Sequence, residues 1–252
     1  MISNVSIIGM VFSLLVSVGF PIVLLVYSRK KFKISFKAVG VGIITWIVFS
    51  QILEKIFHVT VLKVTPIMTY PLIFAIYAAL AAGVFEEVGR YISYKLFLKG
   101  KTEWKDGLAF GIGHGGIEAL LIGLSLGIQN ILFSTMINSG TFEQLTGKLP
   151  AETIDQITKA LFQMTPLTAT LSGFERVFAV ISHIFFSLLV LYGIKINKKV
   201  YLLLAILAHA LMDFFAALYQ VRVITNILTV EALLLVFTIV ACFSVNKFKS
   251  LF

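Results

Sequence analysis

The chain has 252 residues, a hydrophobic fraction of 59% and a mean hydropathy of +0.99. About half of an ordinary soluble domain is apolar, so this composition excludes that class and indicates an integral membrane protein. The formal net charge is +9, but the basic residues lie mainly between apolar segments. We therefore expect them to set membrane orientation and expect no nucleic-acid partner.

Seven apolar segments are long enough to cross the bilayer as helices, which takes about 20 residues each. They cover residues 5–27, 37–58, 70–97, 106–128, 168–193, 200–220 and 224–245. No basic residue precedes the first segment, so we expect it to remain as a span rather than to be cleaved as a signal peptide. The sequence predicts an all-α, polytopic membrane helix bundle that forms one integral membrane domain over residues 1–252.

The basic residues near the ends of the spans predict the orientation. Fourteen of them fall on one side of the membrane and five on the other when the spans alternate in direction. Because cytoplasmic loops are enriched in Lys and Arg, we expect the amino terminus outside and the carboxyl terminus in the cytoplasm.

The one long connection, residues 139–166, is predicted to lie outside the cytoplasm. After Pro150 its apolar residues recur on one helical face, at Ile154, Ile157, Leu161 and Met164. This pattern predicts a short amphipathic helix on the outer membrane surface. We interpret it as a cap over the bundle in preference to a substrate gate.

Four predicted spans carry ionisable residues in their interiors, namely Glu86, Glu87, His114, His183 and His209. A charged group at the bilayer centre costs roughly 2.5–3.5 kcal/mol, so such residues usually line a protein interior and serve a function. Counted from the predicted cytoplasmic ends, all five lie about 12–17 Å deep. Their common depth predicts one shared site.

Three further ionisable residues lie one helical turn away, and they are Arg90, Glu118 and Asp213. Residues at i and i+4 share a helix face, so Glu118 and Asp213 are expected to point into the same interior as the histidines. Glu175 and Arg176 lie nearer the outside, where we expect structural ion pairs with neighbouring helices.

The charges and the ligand types of these interior residues are compatible with two kinds of chemistry. Five predicted interior acids against two arginines require protonated carboxyls, charged histidines or a bound cation. Three imidazoles with a carboxylate and water suit zinc, whereas a Glu/His pair suits metal-free activation of water. The zincin motif HExxH is absent from the sequence, and the single cysteine, Cys242, excludes a Cys-based site.

Three motifs, on the third, fourth and sixth predicted spans, carry a resemblance to a known superfamily: EExxR from Glu86, FxxxH from Phe110 and HxxxD from His209. Their order resembles that of the CAAX-protease and bacteriocin-processing (CPBP) intramembrane proteases, including the PrsW type. With the seven spans, the GHGGIEA segment and HxxxS at His183 look most like the bacterial YhfC group of intramembrane metalloproteases. The resemblance covers about residues 70–215.

This resemblance implies an intramembrane endopeptidase of the bacterial cytoplasmic membrane that acts on membrane-embedded or membrane-proximal peptides and proteins. It implies that Glu86 or Glu87 activates a water with His114, while His209 and Asp213 complete the polar site. We expect Arg90 to keep the carboxylates ionised, and we expect His114, His183 and His209 to hold a metal or the water. A non-catalytic scaffold or a proton or small-solute transporter with the same polar network is the alternative.

Overall fold

The computed structural model describes residues 1–146 and 149–252, and within those ranges the regular structure is helical and contains no β-strand. The helices are α1 (Asn4–Phe32), α2 (Phe36–Trp46), a π-helical segment (Ile47–Glu54), α3 (Lys55–Val64), a 3₁₀ turn (Ile67–Thr69), α4 (Pro71–Phe97), α5 (Trp104–Ser139), α6 (Glu143–Thr146), α7 (Ala151–Gln163), α8 (Pro166–Lys195), α9 (Val200–Gln220) and α10 (Ile227–Phe248). The predicted all-α class is confirmed.

Within the described residues, seven helices are long and apolar enough to cross a membrane, as the sequence predicts. The second of them runs from Phe36 to Val64 and combines α2, the π-helical segment and α3. α5 continues to Ser139, beyond the predicted end at residue 128, because a formed helix gains a hydrogen bond with each added residue and so runs on into polar sequence.

The π-helical segment Ile47–Glu54 interrupts the second span. A π-helix widens the turn, displaces the following side chains around the helix axis and often occurs at functional sites. Glu54, its last residue, is buried despite its charge. Sequence periodicity does not predict this interruption, because local helix preference alone does not favour a π turn.

The described residues form two compact units, and the larger one comprises residues 21–118 and 178–252. Its helices approach closely at glycines. A Cβ atom at Gly83 of α4 would lie 2.7 Å from the Ile206 carbonyl oxygen of α9, and one at Gly111 of α5 would lie 2.5 Å from Ile184 Cα of α8. Glycine at these positions lets the backbones pack together and brings the polar residues of these four helices within reach of one another.

The smaller unit comprises residues 1–20 and 119–177. Its buried apolar cluster contains Ile2, Met10, Leu161 and Ala169. The predicted amphipathic helix is present as α7 (Ala151–Gln163), and it packs Leu161 into this cluster. The position of α7 on the membrane surface stays a prediction.

Candidate metal centre

All eight residues predicted for the site belong to the larger unit and join one network of contacts. α4 supplies Glu86, Glu87 and Arg90, α5 supplies His114 and Glu118, α8 supplies His183, and α9 supplies His209 and Asp213. Six of the eight are buried, and Glu118 and Asp213 are partly accessible. The predicted convergence of four helices is therefore observed within this unit.

Glu86 lies at the middle of the network. Its Oε2 atom lies 2.7 Å from His114 Nε2, 3.9 Å from His183 Nδ1 and 4.0 Å from His209 Nε2. The imidazole of His114 hydrogen-bonds this carboxylate, whereas the other two histidines face it at a distance that leaves room for a bridging atom.

Glu87 is fully buried, and both of its oxygens are engaged. Oε1 lies 2.7 Å from His209 Nδ1, and Oε2 forms an ion pair with Arg90 Nε at 3.1 Å. Because an ionised carboxylate only accepts hydrogen bonds, His209 Nδ1 carries the proton. The lone pair of a neutral His209 then lies on Nε2, on the side of the ring that faces Glu86.

Arg90 fixes the tautomer of a second histidine. Its Nη2 lies 3.2 Å from His183 Nδ1, and a guanidinium only donates, so Nδ1 is the acceptor and Nε2 carries the proton. That proton is directed at Glu118 Oε2, 2.7 Å away. Arg90 also donates from Nη1 to the His183 carbonyl oxygen, at 2.7 Å, and to Ser187 Oγ, which ties α4 to α8.

Asp213 brings a further acceptor to the same place. Its Oδ2 lies 3.4 Å from His209 Nε2, and its side chain is 33% exposed, against 13% for Glu118. Three acceptor atoms thus converge: Glu86 Oε2, Asp213 Oδ2 and the lone pair of His209. Acceptors repel one another in a low dielectric, and a proton or a bound cation between them would relieve that repulsion.

The donor types and their spacing fit a zinc ion. Glu86, His183 and His209 each offer a ligand atom, and these atoms lie within 4.8 Å of one another. At bond lengths of about 2.0–2.1 Å, the ligands of a tetrahedral zinc are about 3.4 Å apart, so a small inward movement would bring these three into range. An ion at His183 Nδ1 would replace the Arg90 Nη2 hydrogen bond. The carboxylates of Glu86, Glu87, Glu118 and Asp213, set against the single guanidinium of Arg90, also favour a cation.

This triad differs in one member from the predicted ligands His114, His183 and His209. Glu86 takes the place of His114, which hydrogen-bonds Glu86 through Nε2 and has no hydrogen-bond partner for Nδ1 among the described residues. Which nitrogen faces which oxygen depends on helix rotation, and residue spacing does not determine this.

Three polar residues near the centre were not predicted, namely Glu54, His58 and Tyr77. His58 Nδ1 lies 2.7 Å from Tyr77 Oη, and His58 Nε2 lies 3.1 Å from Glu54 Oε1. Glu54 and His58 are four residues apart in the second span, the same spacing that revealed Glu118 and Asp213. The predicted span ends at residue 58, which places both residues near the membrane surface and so does not mark them as part of the buried site.

Glu175 and Arg176 belong to the smaller unit. The Arg176 guanidinium donates from Nη2 to Glu175 Oε1 at 2.5 Å, so the two residues form an ion pair with each other. A structural role for this dipeptide agrees with that contact, although the described pair lies between neighbours in sequence and not between helices.

Seven membrane-spanning helices and a buried carboxylate–histidine centre define an integral membrane protein with a candidate metal site. The chain belongs to the YhfC intramembrane metalloprotease family, whose sequence model matches residues 13–234. It is 39% identical over 259 residues to the uncharacterized membrane protein YhfC of Bacillus subtilis (strain 168), and the alignment covers 100% of both chains. No solved structure matches this chain. The broader resemblance to CPBP and PrsW proteases stays a prediction.

Proposed function

We propose that this protein is an intramembrane metalloendopeptidase that hydrolyses membrane-embedded or membrane-proximal peptides and proteins. The observation that carries the proposal is the convergence of Glu86 Oε2, His183 and His209 within 4.8 Å in a buried site. The name of the family agrees with this function. A cluster of this composition is costly in a membrane protein unless it serves a function.

Glu86, His183 and His209 would hold the ion, and zinc is the ion that this ligand set suits best. When bound, zinc supplies Lewis acidity to the reaction. The three protein ligands are the number typical of catalytic zinc sites, in which a fourth position stays open, whereas structural sites use four.

Two carboxylates act as positioning residues. Glu87 holds His209 through Nδ1, and Glu118 holds His183 through Nε2, each at 2.7 Å. A carboxylate on the second nitrogen of a ligand histidine fixes the ring and makes it a better ligand. Since both Glu87 oxygens are engaged, its geometry favours this role over that of the base.

Asp213 and the Glu86–His114 pair are the groups placed to handle protons. We assign Asp213 the role of base, because it is the most accessible carboxylate of the centre and lies 3.4 Å from His209 Nε2. It would take a proton from the attacking water and return it to the amine that leaves when the peptide bond breaks. Without metal, Glu86 hydrogen-bonded to His114 would take the proton instead.

The decisive experiment measures zinc and cleavage on the same purified protein. Elemental analysis in detergent should give close to one zinc per chain, and the ion should be lost in the His183→Ala, His209→Ala double variant. Cleavage is followed by mass spectrometry with a panel of synthetic single-span peptides in micelles. A metal-free wild type that cleaves would establish the Glu86–His114 mechanism, while metal binding without cleavage of any peptide or native membrane protein would favour the scaffold or transporter.

The chain is an integral membrane protein, and we further propose the bacterial cytoplasmic membrane as its location. The predicted topology puts the carboxyl terminus in the cytoplasm. Glu86 lies about 16 Å from the predicted cytoplasmic end of α4, given 1.5 Å per residue. Membrane-embedded substrates would therefore reach the site from within the bilayer.

A further inference from the structure

Glu54, His58 and Tyr77 form a second polar cluster that the proposed centre does not use. Two neighbouring elements of the second span and α4 contribute its members, which are linked by contacts of 2.7 and 3.1 Å. The side chain of Glu54 is 10% exposed, and its Oε2 atom is buried with no hydrogen-bond partner among the described residues. An ionisable oxygen in such a position requires water or a ligand, because leaving it unsatisfied is costly.

The cluster leads to the candidate metal centre. Glu54 lies close enough to His209, Asp213 and Glu86 to interact with them electrostatically. Asp213 in turn contacts His209 Nε2 at 3.4 Å. Polar side chains from Tyr77 to the ligand atoms therefore lie within electrostatic range of their neighbours.

These residues lie at increasing depths below one membrane face. Consecutive spans alternate in direction, so Val64 at the end of α3, Pro71 at the start of α4 and Gln220 at the end of α9 lie on one membrane face. At 1.5 Å per residue, the distances from that face are about 9 Å for His58 and Tyr77, about 10 Å for Asp213, about 15 Å for Glu54, about 16 Å for His209 and about 22 Å for Glu86. The difference in depth between one residue and the next in this order is small enough for one or two water molecules to bridge.

The side chains that lie nearest this membrane face are the most accessible. The side chains of His58 and Asp213 are 28% and 33% exposed, whereas that of His209 is 2% exposed. An accessible carboxylate about 10 Å below a membrane face would be costly against lipid, so the surface it faces is more stable when hydrated.

On the opposite side of the centre, two buried aromatic rings pack together. One turn beyond Arg90, towards the Phe97 end of α4, the buried Tyr94 packs on the buried Phe110 with ring centroids 4.6 Å apart. The Arg90 guanidinium itself is fully buried. Polar residues therefore lead from the centre toward the membrane face where α3 ends, and aromatic residues lie on the side toward the Phe97 end of α4.

We propose that Glu54, His58, Tyr77 and Asp213 line a hydrated path that opens at the membrane face where α3 ends and α4 begins. The path brings to the buried centre the water that hydrolysis consumes, and in this respect it rests on the proposed function. The ligand of the cluster is water, held by the unpaired Glu54 oxygen and by the accessible sides of His58 and Asp213.

Cysteine labelling tests the path without depending on peptidase activity. In a Cys242→Ser background, single cysteines replace a path residue or its lipid-facing neighbour, in the pairs Glu54 and Leu53, His58 and Val59, and Tyr77 and Ile76. The neighbours are exposed apolar residues. A charged, membrane-impermeant methanethiosulfonate reacts with the thiolate, which forms in water and not in lipid.

We expect the three path cysteines to react at least tenfold faster than their neighbours, in protein reconstituted in vesicles. They should react when the reagent is added on the side from which Met68→Cys, in the connection before α4, is labelled. Equal rates within the pairs, or reaction only from the opposite side, would overturn the path. Should Glu54→Cys fail to fold, the peripheral Tyr77 and Ile76 pair gives the same comparison.

Zinc content and peptide cleavage, measured on the same protein, show whether a labelling result contradicts the path or the proposed function. Equal labelling rates in a protein that binds zinc and cleaves peptides overturn the path alone. Fast labelling of the path residues in a protein that does neither supports a hydrated path and overturns the hydrolase.

Discussion

Glu87 of α4 and His209 of α9 contact each other through a buried 2.7 Å pair between Glu87 Oε1 and His209 Nδ1. The same carboxylate uses its other oxygen for Arg90, at 3.1 Å. One side chain thereby sets both the tautomer of a candidate ligand and the position of the Arg90 guanidinium. Glu87 is fully buried, so water cannot replace either contact.

Glu87→Gln should lower zinc affinity and activity by about 10–100-fold or more, because loss of a carboxylate behind a metal-binding histidine has an effect of that size. An amide offers one acceptor oxygen and therefore cannot serve both His209 and Arg90. The helices should persist, as checked by circular dichroism, because Arg90 keeps its Nη1 hydrogen bonds to α8. Glu103→Gln, at a largely exposed carboxylate, is the control. Full zinc content and activity in Glu87→Gln would remove Glu87 from the mechanism.

Single histidine variants should separate the two candidate ligand sets. His183→Ala and His209→Ala should each lose most of the zinc, and the triple variant with His114→Ala should lose all of it. His114→Ala alone should retain at least half of the zinc at saturating metal, because His114 contacts Glu86 and lies outside the closest triad. Elemental analysis after gel filtration measures this, with His58→Ala as a matched histidine control. A His114→Ala protein without zinc would restore the three-histidine site.

The sequence predicts the seven spans well, because a span follows from apolar length. Counting the rise per residue along each helix also predicts that polar residues of four spans meet. The i, i+4 rule also predicts that Glu118 and Asp213 point into the same interior as the histidines, and they contact His183 and His209 there. The sequence does not predict the roles of the individual atoms. The choice of Glu86 over His114 in the closest triad depends on helix rotation, and Glu54 ends a π-helical segment that sequence periodicity does not predict.

Gly83→Ala should destabilise the protein, because its Cβ would lie 2.7 Å from the backbone oxygen of Ile206, which cannot move without shifting α9. Overpacking of this kind costs about 1–3 kcal/mol. Thermal unfolding in detergent should show a lowered midpoint. Gly40→Ala is the matched control, since its Cβ meets nothing within 4 Å and alanine favours helix over glycine by about 1 kcal/mol. An unchanged midpoint in Gly83→Ala would show that α4 and α9 are not locked at this contact.

The carboxyl terminus should lie in the cytoplasm. The excess of basic residues at the ends of alternate spans favours this orientation, because Lys and Arg resist translocation. Alkaline phosphatase, which is active only outside the cytoplasm of bacteria, should be inactive when fused after Phe252 and active when fused in the long connection after Gly140. A green fluorescent protein fused at the same two positions should give the reverse pattern, which controls for expression. The opposite result at both positions would invert the orientation, and the polar path from Tyr77 to Glu86 would then open to the cytoplasm.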